Sequence, residues 1–310
     1  MVQKLDCPNT EREFRALLDT MYEISLESYQ NGQRPCFKGL LEIIKSETVI
    51  LSAIHKIKGN KGSKTPGTDG KTIEDILQMK HKEVISLFQA KLEHYVAMPV
   101  RRKWIPKPGK KEKRPLGIPN IEDRVIQECV RSVIEPILEA QFFKHSYGFR
   151  PMREASQALE RISDLAHLTS YHWVVEGDIS KFFDNINHTV LIKKLYNMGI
   201  RDQRVLMIIK QMLKAGVMNE IRRSELGTPQ GGIISPILAN VYLDSFDHWV
   251  NSLWEGKKTK HQYARQDGKI SSLKRTNLTP AYLIRYADDW VILTNSHENA
   301  LKLKYKADNF

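Results

Sequence analysis

Leu283-Ile284-Arg285-Tyr286-Ala287-Asp288-Asp289-Trp290-Val291-Ile292-Leu293 is the stretch on which the reading of this chain turns. Two short apolar runs, Leu283-Ile284 and Val291-Ile292-Leu293, flank Ala287-Asp288-Asp289. Apolar runs of strand length broken by turn-forming residues are the signature of a β-hairpin. The flanks read as core strands, so the two aspartates stand at the tip of a supported turn. Working outward, Tyr171 to Val175 is a second apolar burst and ends in Glu176-Gly177-Asp178. It reads as a buried strand. Residues 235–250 form a long helix. Residues 257–275 are polar and basic with one acid, Asp267, and read as a flexible insertion. From His297 the pattern is that of a helix cut off at Phe310.

Toward the N-terminus the periodicity is helical. Phe14, Leu17, Leu18, Met21 and Ile24 mark an amphipathic helix over 11–30, and Leu41, Ile44, Val49, Leu51 and Ile54 mark another over 38–58. The Gly59 to Gly70 segment is a loop, and 72–94 is helical again. Residues 101–114, RRKWIPKPGKKEKR, carry eight basic residues and one acid. Pro106, Pro108 and Gly109 break any helix there, which leaves a strand and an exposed hairpin loop. Residues 121–141, 155–166, 188–196 and 202–214 are helices. The expected class is α+β: a small antiparallel sheet backed by helices, and helices that dominate the N-terminal part. The segments are 1–98, a helical extension running into the next region; 99–170; and 171–310.

Length and composition bound the function. The chain has 310 residues, 41% hydrophobic and 27% charged, enough for a packed core. Lys and Arg number 48 against 36 Asp and Glu, a formal charge of +12 and an isoelectric point near 9.4. That balance points to a polyanion as partner, although an ordinary basic enzyme shows it too. Cys7, Cys36 and Cys129 are odd in number and widely spaced, with no C-x-x-C. A disulfide framework and a zinc cluster are both poorly supported, and a reducing setting fits. No signal-peptide pattern opens the chain, and no apolar run of about 18 residues occurs, so the expectation is a cytoplasmic protein without a membrane partner.

Phosphoryl transfer needs divalent ions that clamp the attacking and leaving oxygens, two of them roughly 3.5–4 Å apart. Magnesium takes oxygen ligands, commonly one or two carboxylates plus substrate phosphates and water. The protein must therefore bring carboxylates to one point on a rigid support. Asp178, where the chain leaves a strand, and Asp288 and Asp289, at a hairpin tip, fit that need. Each also has a plain reading, since Asp is common at turns and at helix N-caps, where Ser180 would share the role.

Several blocks in one order go further. Arg285-Tyr286-Ala287-Asp288-Asp289 resembles the Y-x-D-D box of reverse transcriptases, in the YADD form of group II intron proteins and their bacterial relatives. Gly177 to Asp184, GDISKFFD, resembles the block with the other metal-binding aspartate. Gly227 to Pro236, GTPQGGIISP, resembles the G-x-P-Q-G block beneath the incoming nucleotide. His145 to Pro151, HSYGFRP, and Arg114 to Pro119, RPLGIP, resemble the block before the palm and the fingers block. Thr65 to Gly70, TPGTDG, is similar to the T-P-G-x-D-G signature of intron-encoded and other non-LTR-type enzymes. The resemblance covers roughly residues 55–300, and ordered matches are far more specific than a lone motif.

The resemblance implies a reverse-transcriptase fingers and palm, with 99–170 as fingers and 171–310 as palm, and a chain that stops before a thumb. It implies RNA-directed DNA synthesis with two Mg2+ ions, Mn2+ being a substitute. Asp178 and Asp288 resemble the direct ligands, Asp289 adjoins them, and the Ile179 carbonyl adds an oxygen. Phe182 takes the place of the aromatic residue that excludes a 2′-hydroxyl, or is plain core beside Phe183. Gln230 would lie against the nucleotide, with Gly231 and Gly232 allowing backbone approach. Lys107 and Arg114 resemble the cations that grip the triphosphate. Lys56, Lys58, Lys61, Lys64, Arg101, Arg102 and Lys103 would face RNA, or form a solvated surface. Implied partners are an RNA template, group II intron RNA, a DNA or RNA primer and dNTPs, in a bacterial ribonucleoprotein that a homodimer would also suit. A splicing-cofactor (maturase) role is the rival reading. A retron, diversity-generating or defence-associated enzyme is another.

Overall fold

Several helix starts in this chain are set by side chains that satisfy the first free amides. In the computed structural model, which describes residues 5–106, 109, 111, 113–179, 182–215 and 231–310 with the Arg114 side chain excepted, Thr10 opens α1 (Glu11–Gln30) by accepting from Glu13 N. The expected helix over 38–58 is two helices, α2 (Leu40–Ile44) and α3 (Glu47–Lys58). Ser46 divides them, because its hydroxyl caps α3 by accepting from Val49 N. The expected helix over 72–94 likewise splits into α4 (Ile73–Leu77), opened by a Thr72–Asp75 capping box, and α5 (His81–Glu93). Leu51, expected on a buried face, is 41% exposed. A two-stranded antiparallel sheet follows, β1 (Arg101–Pro106) with β2 (Lys113–Ile118), in the register Arg101 to Ile118.

The chain folds as two compact units, each discontinuous in sequence. The first holds residues 1–141 and 181–238. Its centre is α6 (Ile121–Glu139), on which α1 and α3 pack. Val125, Ile126, Val130, Val133, Ile134 and Ile137 are all sealed from solvent. Buried polar groups on α6 are partnered, as burial demands. Asp123 accepts from the Tyr95 hydroxyl at 2.9 Å, Arg131 holds Glu128, and Gln127 Oε1 accepts from Ile233 N at 2.7 Å. The second segment of this unit supplies α8 (Phe182–Asn185), α9 (His188–Asn197) and α10 (Gln203–Leu213).

The second unit holds residues 142–180 and 239–310. Its sheet has the order β3-β5-β4, all antiparallel: β3 (Trp173–Gly177), β4 (Tyr282–Tyr286) and β5 (Asp289–Thr294). Helix α7 (Ala155–Thr169) packs on β4 and β5, and α13 (His297–Asp308) on β3 and β5. Helix α11 (Ser235–Leu253) supplies Val250, and the following turn supplies the fully buried Trp254. The α+β class is as expected. Two local expectations are corrected. β3 starts later than read and is not a buried strand, since it lies at the sheet edge with Trp173 46% and Val174 51% exposed. The stretch 257–275 is not wholly flexible: it forms α12 (Gln266–Leu273), pinned by Gln266 Nε2 and Lys269 Nζ, which both donate to Glu255 O at 2.9 Å, and by buried Leu273. No helix among the described residues is long and apolar enough to cross a membrane.

Candidate active site

β4 and β5 are joined by a two-residue turn, Ala287-Asp288, with Tyr286 paired to Asp289. β5 is the middle strand, and on its other side Trp290 pairs with Gly177 of β3. In an antiparallel ladder the next residue past Gly177 comes level with the residue before Trp290. Asp178 is therefore level with Asp289, at the sheet end where Asp288 turns. Three aspartates from two separate sequence blocks lie at one end of one sheet. Asp178 and Asp289 are exposed and Asp288 is half-buried. Partial desolvation, together with the charges of Asp288, Asp178 and Glu176, pushes the Asp289 carboxyl above the usual carboxylate range. Among the described residues no three His, Cys, Asp or Glu side chains converge into a ready-made metal cage. The donor set nonetheless fits a hard cation: all-carboxylate and mutually repelling, it suits an ion that completes its shell with substrate oxygens and water.

The turn is held from beneath by residues that the sequence reading did not assign to it. Ala287 has φ +58°, a left-handed conformation uncommon for a residue with a Cβ. A Cβ on Gly148 would lie 2.2 Å from Ala287 N, so only glycine permits that approach. Tyr147 N donates to Arg285 O and Arg285 N to His145 O, making a parallel bridge between the 145–147 segment and β4. Arg285 is buried, donating to both oxygens of Asp247, to Asn240 Oδ1 and to Ala287 O. Arg150 clamps the same block by donating to Phe143 O and Ser146 O. A charged residue within an otherwise apolar strand was the available signal for Arg285. A Cβ on Gly177 would meet the Trp290 indole at 2.1 Å, which explains the glycine before Asp178.

Of the residues expected at the nucleotide, Arg114, Phe182 and Gly231 belong to the first unit. Lys107 and Gln230 lie outside the described residues. Arg114 pairs through its backbone with Ile105 in the β1–β2 register. Phe182 is 4% exposed and meets Phe183 edge-on at 5.4 Å. Gly231 has φ +114°, and a Cβ there would lie 2.5 Å from Gly117 O, so Gly231 and strand β2 approach through backbone.

The expected RNA-facing set divides. Lys56, Lys58, Lys61 and Lys64 are exposed at and after the end of α3. Lys56 pairs with Glu128 at 3.1 Å and Lys64 with Glu74 at 3.5 Å. Arg102 and Lys103 are exposed, with Arg102 over the Trp104 ring at 5.7 Å. Arg101 instead donates twice to Pro66 O, tying β1 to the TPGTDG loop. Asn120 Oδ1 accepts from Thr68 N at 2.7 Å and Thr68 Oγ1 at 3.0 Å. Arg124 donates to the carbonyls of Pro119, Gly62 and Thr65. A Cβ on Gly67 would strike Asn120 Oδ1 at 2.1 Å.

Comparison with known proteins agrees with this layout. The profile of the reverse transcriptase (RNA-dependent DNA polymerase) family matches residues 105–309. The group II intron-encoded protein LtrA of Lactococcus lactis subsp. cremoris is 34% identical over 308 residues, 87% of this chain and 50% of LtrA. Protein YkfC of Escherichia coli is 34% identical over 269 residues, 82% of this chain and 70% of that protein. Nuclear intron maturase 2 of Arabidopsis thaliana is 28% identical over 173 residues, 42% of this chain and 23% of the maturase. The chain thus spans half the length of LtrA.

Proposed function

Since the chain belongs to the reverse transcriptase (RNA-dependent DNA polymerase) family, we propose that it carries the nucleotidyl-transfer centre of a group II intron enzyme that copies RNA into DNA. The observation that carries this reading is the β3–β5–β4 register, which makes Asp178 level with Asp289 beside the Asp288 turn. Asp178, Asp288, Asp289 and the Ile179 carbonyl would hold two Mg2+ ions, with Mn2+ as a substitute. When bound, the ions neutralise charge on the attacking and leaving oxygens of the transfer. The chain's own contribution is support: a turn fixed by burial and hydrogen bonds, and a strand end that holds Asp178 in register. The repulsion felt by Asp289 supports an ion there, because a cation relieves it. Lys107, Arg114, Phe182, Gln230 and Gly231 are assigned to the dNTP, with Phe182 selecting the deoxyribose. In this reading residues 1–98 would be the helical N-terminal extension and the start of the fingers, 99–170 the fingers and 171–310 the palm.

A second reading is favoured by the exposed lysines at and after the end of α3 and by the similarity to the Arabidopsis nuclear intron maturase 2. In it the chain binds intron RNA and aids splicing, within a ribonucleoprotein, independently of Asp288. Primer extension on an RNA template in Mg2+, run beside an RNA-binding assay on the same preparation and an Asp288→Ala control, separates the two. Extension that disappears in the control, with RNA binding intact, supports the polymerase and its metal site together. A folded, RNA-binding chain without extension leaves the splicing role.

A further inference from the structure

Arg285 stands inside β4 with 1% of its surface exposed. Burying a guanidinium is costly unless its donors are engaged, and a well-packed apolar side chain would complete a strand core at least as stably. Here the engagement is full and directional. Nε and Nη2 donate to Asp247 Oδ1 at 2.7 Å and Oδ2 at 2.6 Å, from a strand to a carboxylate on α11 that is itself sealed from solvent. Nη1 donates to Asn240 Oδ1 at 3.0 Å and to Ala287 O at 2.6 Å. Asn240, also buried, donates through Nδ2 to Gly148 O at 2.9 Å. Gly148 in turn packs on the amide of Ala287.

The peptide units on both sides of Ala287 are therefore gripped. Its carbonyl, which begins the link to Asp288, accepts from Arg285. Its amide lies against Gly148, whose own carbonyl is fixed by Asn240. Ala287 sits at φ +58°, where a residue with a Cβ persists only when its surroundings over-determine it. The two helix residues and the strand arginine supply that determination, and the residue they lead into is Asp288.

We propose that Arg285, Asp247 and Asn240 are positioning residues of the candidate metal centre: Asp247 and Asn240 orient the guanidinium, and the guanidinium holds the Ala287 carbonyl so that Asp288 is presented in one geometry. The proposal rests on the reading of Asp288 as a metal ligand. It deepens that reading by naming residues that touch neither ion nor substrate. Outer-shell partners of ligands typically change metal affinity or activity about 10–100-fold when removed.

The test uses the full chain and Mn2+ as the probe, with free Mn2+ read by electron paramagnetic resonance beside primer-extension kinetics. Asn240→Ala leaves the Arg285–Asp247 pair intact and is the mild variant. The double variant Arg285→Met, Asp247→Leu replaces the ion pair with apolar volume. Both are checked for native circular dichroism and a cooperative melt. The expected result is a folded Asn240→Ala protein with Mn2+ affinity and kcat each down about 10-fold or more and KM for dNTP unchanged. The double variant is expected to fold and to lose Mn2+ binding more severely. Unchanged Mn2+ affinity and kcat in folded Asn240→Ala overturn the proposal, as does a folded double variant with both preserved; the cluster is then core packing alone. Asp288→Ala separates the premise: if it leaves Mn2+ binding at the parental level, the metal reading itself fails, whatever Asn240→Ala does.

Discussion

Two motif loops of this chain are braced in opposite ways. The Ala287-Asp288 turn is held by side chains outside its own functional pair. Arg285, Asp247 and Asn240 are buried behind the turn, while Asp288 is half-buried and Asp289 exposed at the end of the sheet. In the TPGTDG loop the signature residues are themselves the brace. Gly67 and Thr68 meet Asn120, and Pro66 O and Thr65 O accept from Arg101 and Arg124. The first loop sets buried charge against buried charge. The second sets Arg124 against three neutral carbonyls, and burial pulls that guanidinium below the usual arginine range. A motif can thus be chemistry supported by its neighbours, or architecture that supports them.

Substitutions can break this contrast. The largest effect is expected at Asp288→Ala: extension falls to background while RNA affinity stays within twofold, about 0.4 kcal/mol. A parallel loss of RNA binding would mean that the turn serves RNA docking. Next come the two close-packed glycines. Gly148→Ala and Gly67→Ala each force a backbone or side-chain shift, and each should lower unfolding free energy by about 1–3 kcal/mol in denaturant titrations. Only Gly148→Ala should also abolish extension. Equal activity losses per unit of lost stability would erase the distinction between the loops.

Asn120→Ala removes the acceptor of Thr68 N and one of the two acceptors of Thr68 Oγ1, the other being Pro99 O, and should cost about 1–3 kcal/mol, with kcat per folded molecule unchanged. A third contrast concerns pH. Burial, with Arg161, Lys144 and Arg153 nearby, pushes His145 down to about 3, so it is neutral in the folded chain. Its unfolded value is 6.5, so the unfolded chain binds the proton more readily below that. The stability it contributes is complete above pH 6.5 and declines toward pH 3. Because His145 O is bonded to Arg285 N, hydrogen exchange in the hairpin should rise across that window and exchange in the TPGTDG loop should not. The smallest effect is Lys58→Ala, expected to reduce the salt slope of RNA binding by about one. An unaltered slope would mark that lysine as merely solvated.

The hairpin and its carboxylates were legible because their signals are local: short apolar runs, a polar tip, a strand that ends in Gly-Asp. Burial of β3 was over-read because Trp173 and Val174 resemble core residues yet are about half exposed on an edge strand, whereas the other edge strand, β4, is covered. The breaks at Ser46 and at 78–80 carry no Gly or Pro, and a serine that caps a helix looks in sequence like a serine within one. The braces as pairs were not legible. Arg285 was marked only by its charge in an apolar strand, and Gly148 and Thr68 only as members of their motif blocks. Their partners Asp247, Asn240 and Asn120 lie far away along the chain, and each taken alone is an unremarked polar residue. The group expected at the nucleotide rests on resemblance, with Lys107 and Gln230 outside the described residues.

The pairing of β3 with β5 has a consequence for synthesis. Trp173 pairs with Thr294 and Gly177 with Trp290, so the strand that leads into Asp178 must wait while residues 178 to 288 emerge from the ribosome. During that interval β3, with its exposed tryptophan and valine, has no sheet to join. Until β5 arrives, no strand sets Asp178 level with Asp289, so the carboxylate end of the sheet is assembled late, by a pairing between segments far apart along the chain.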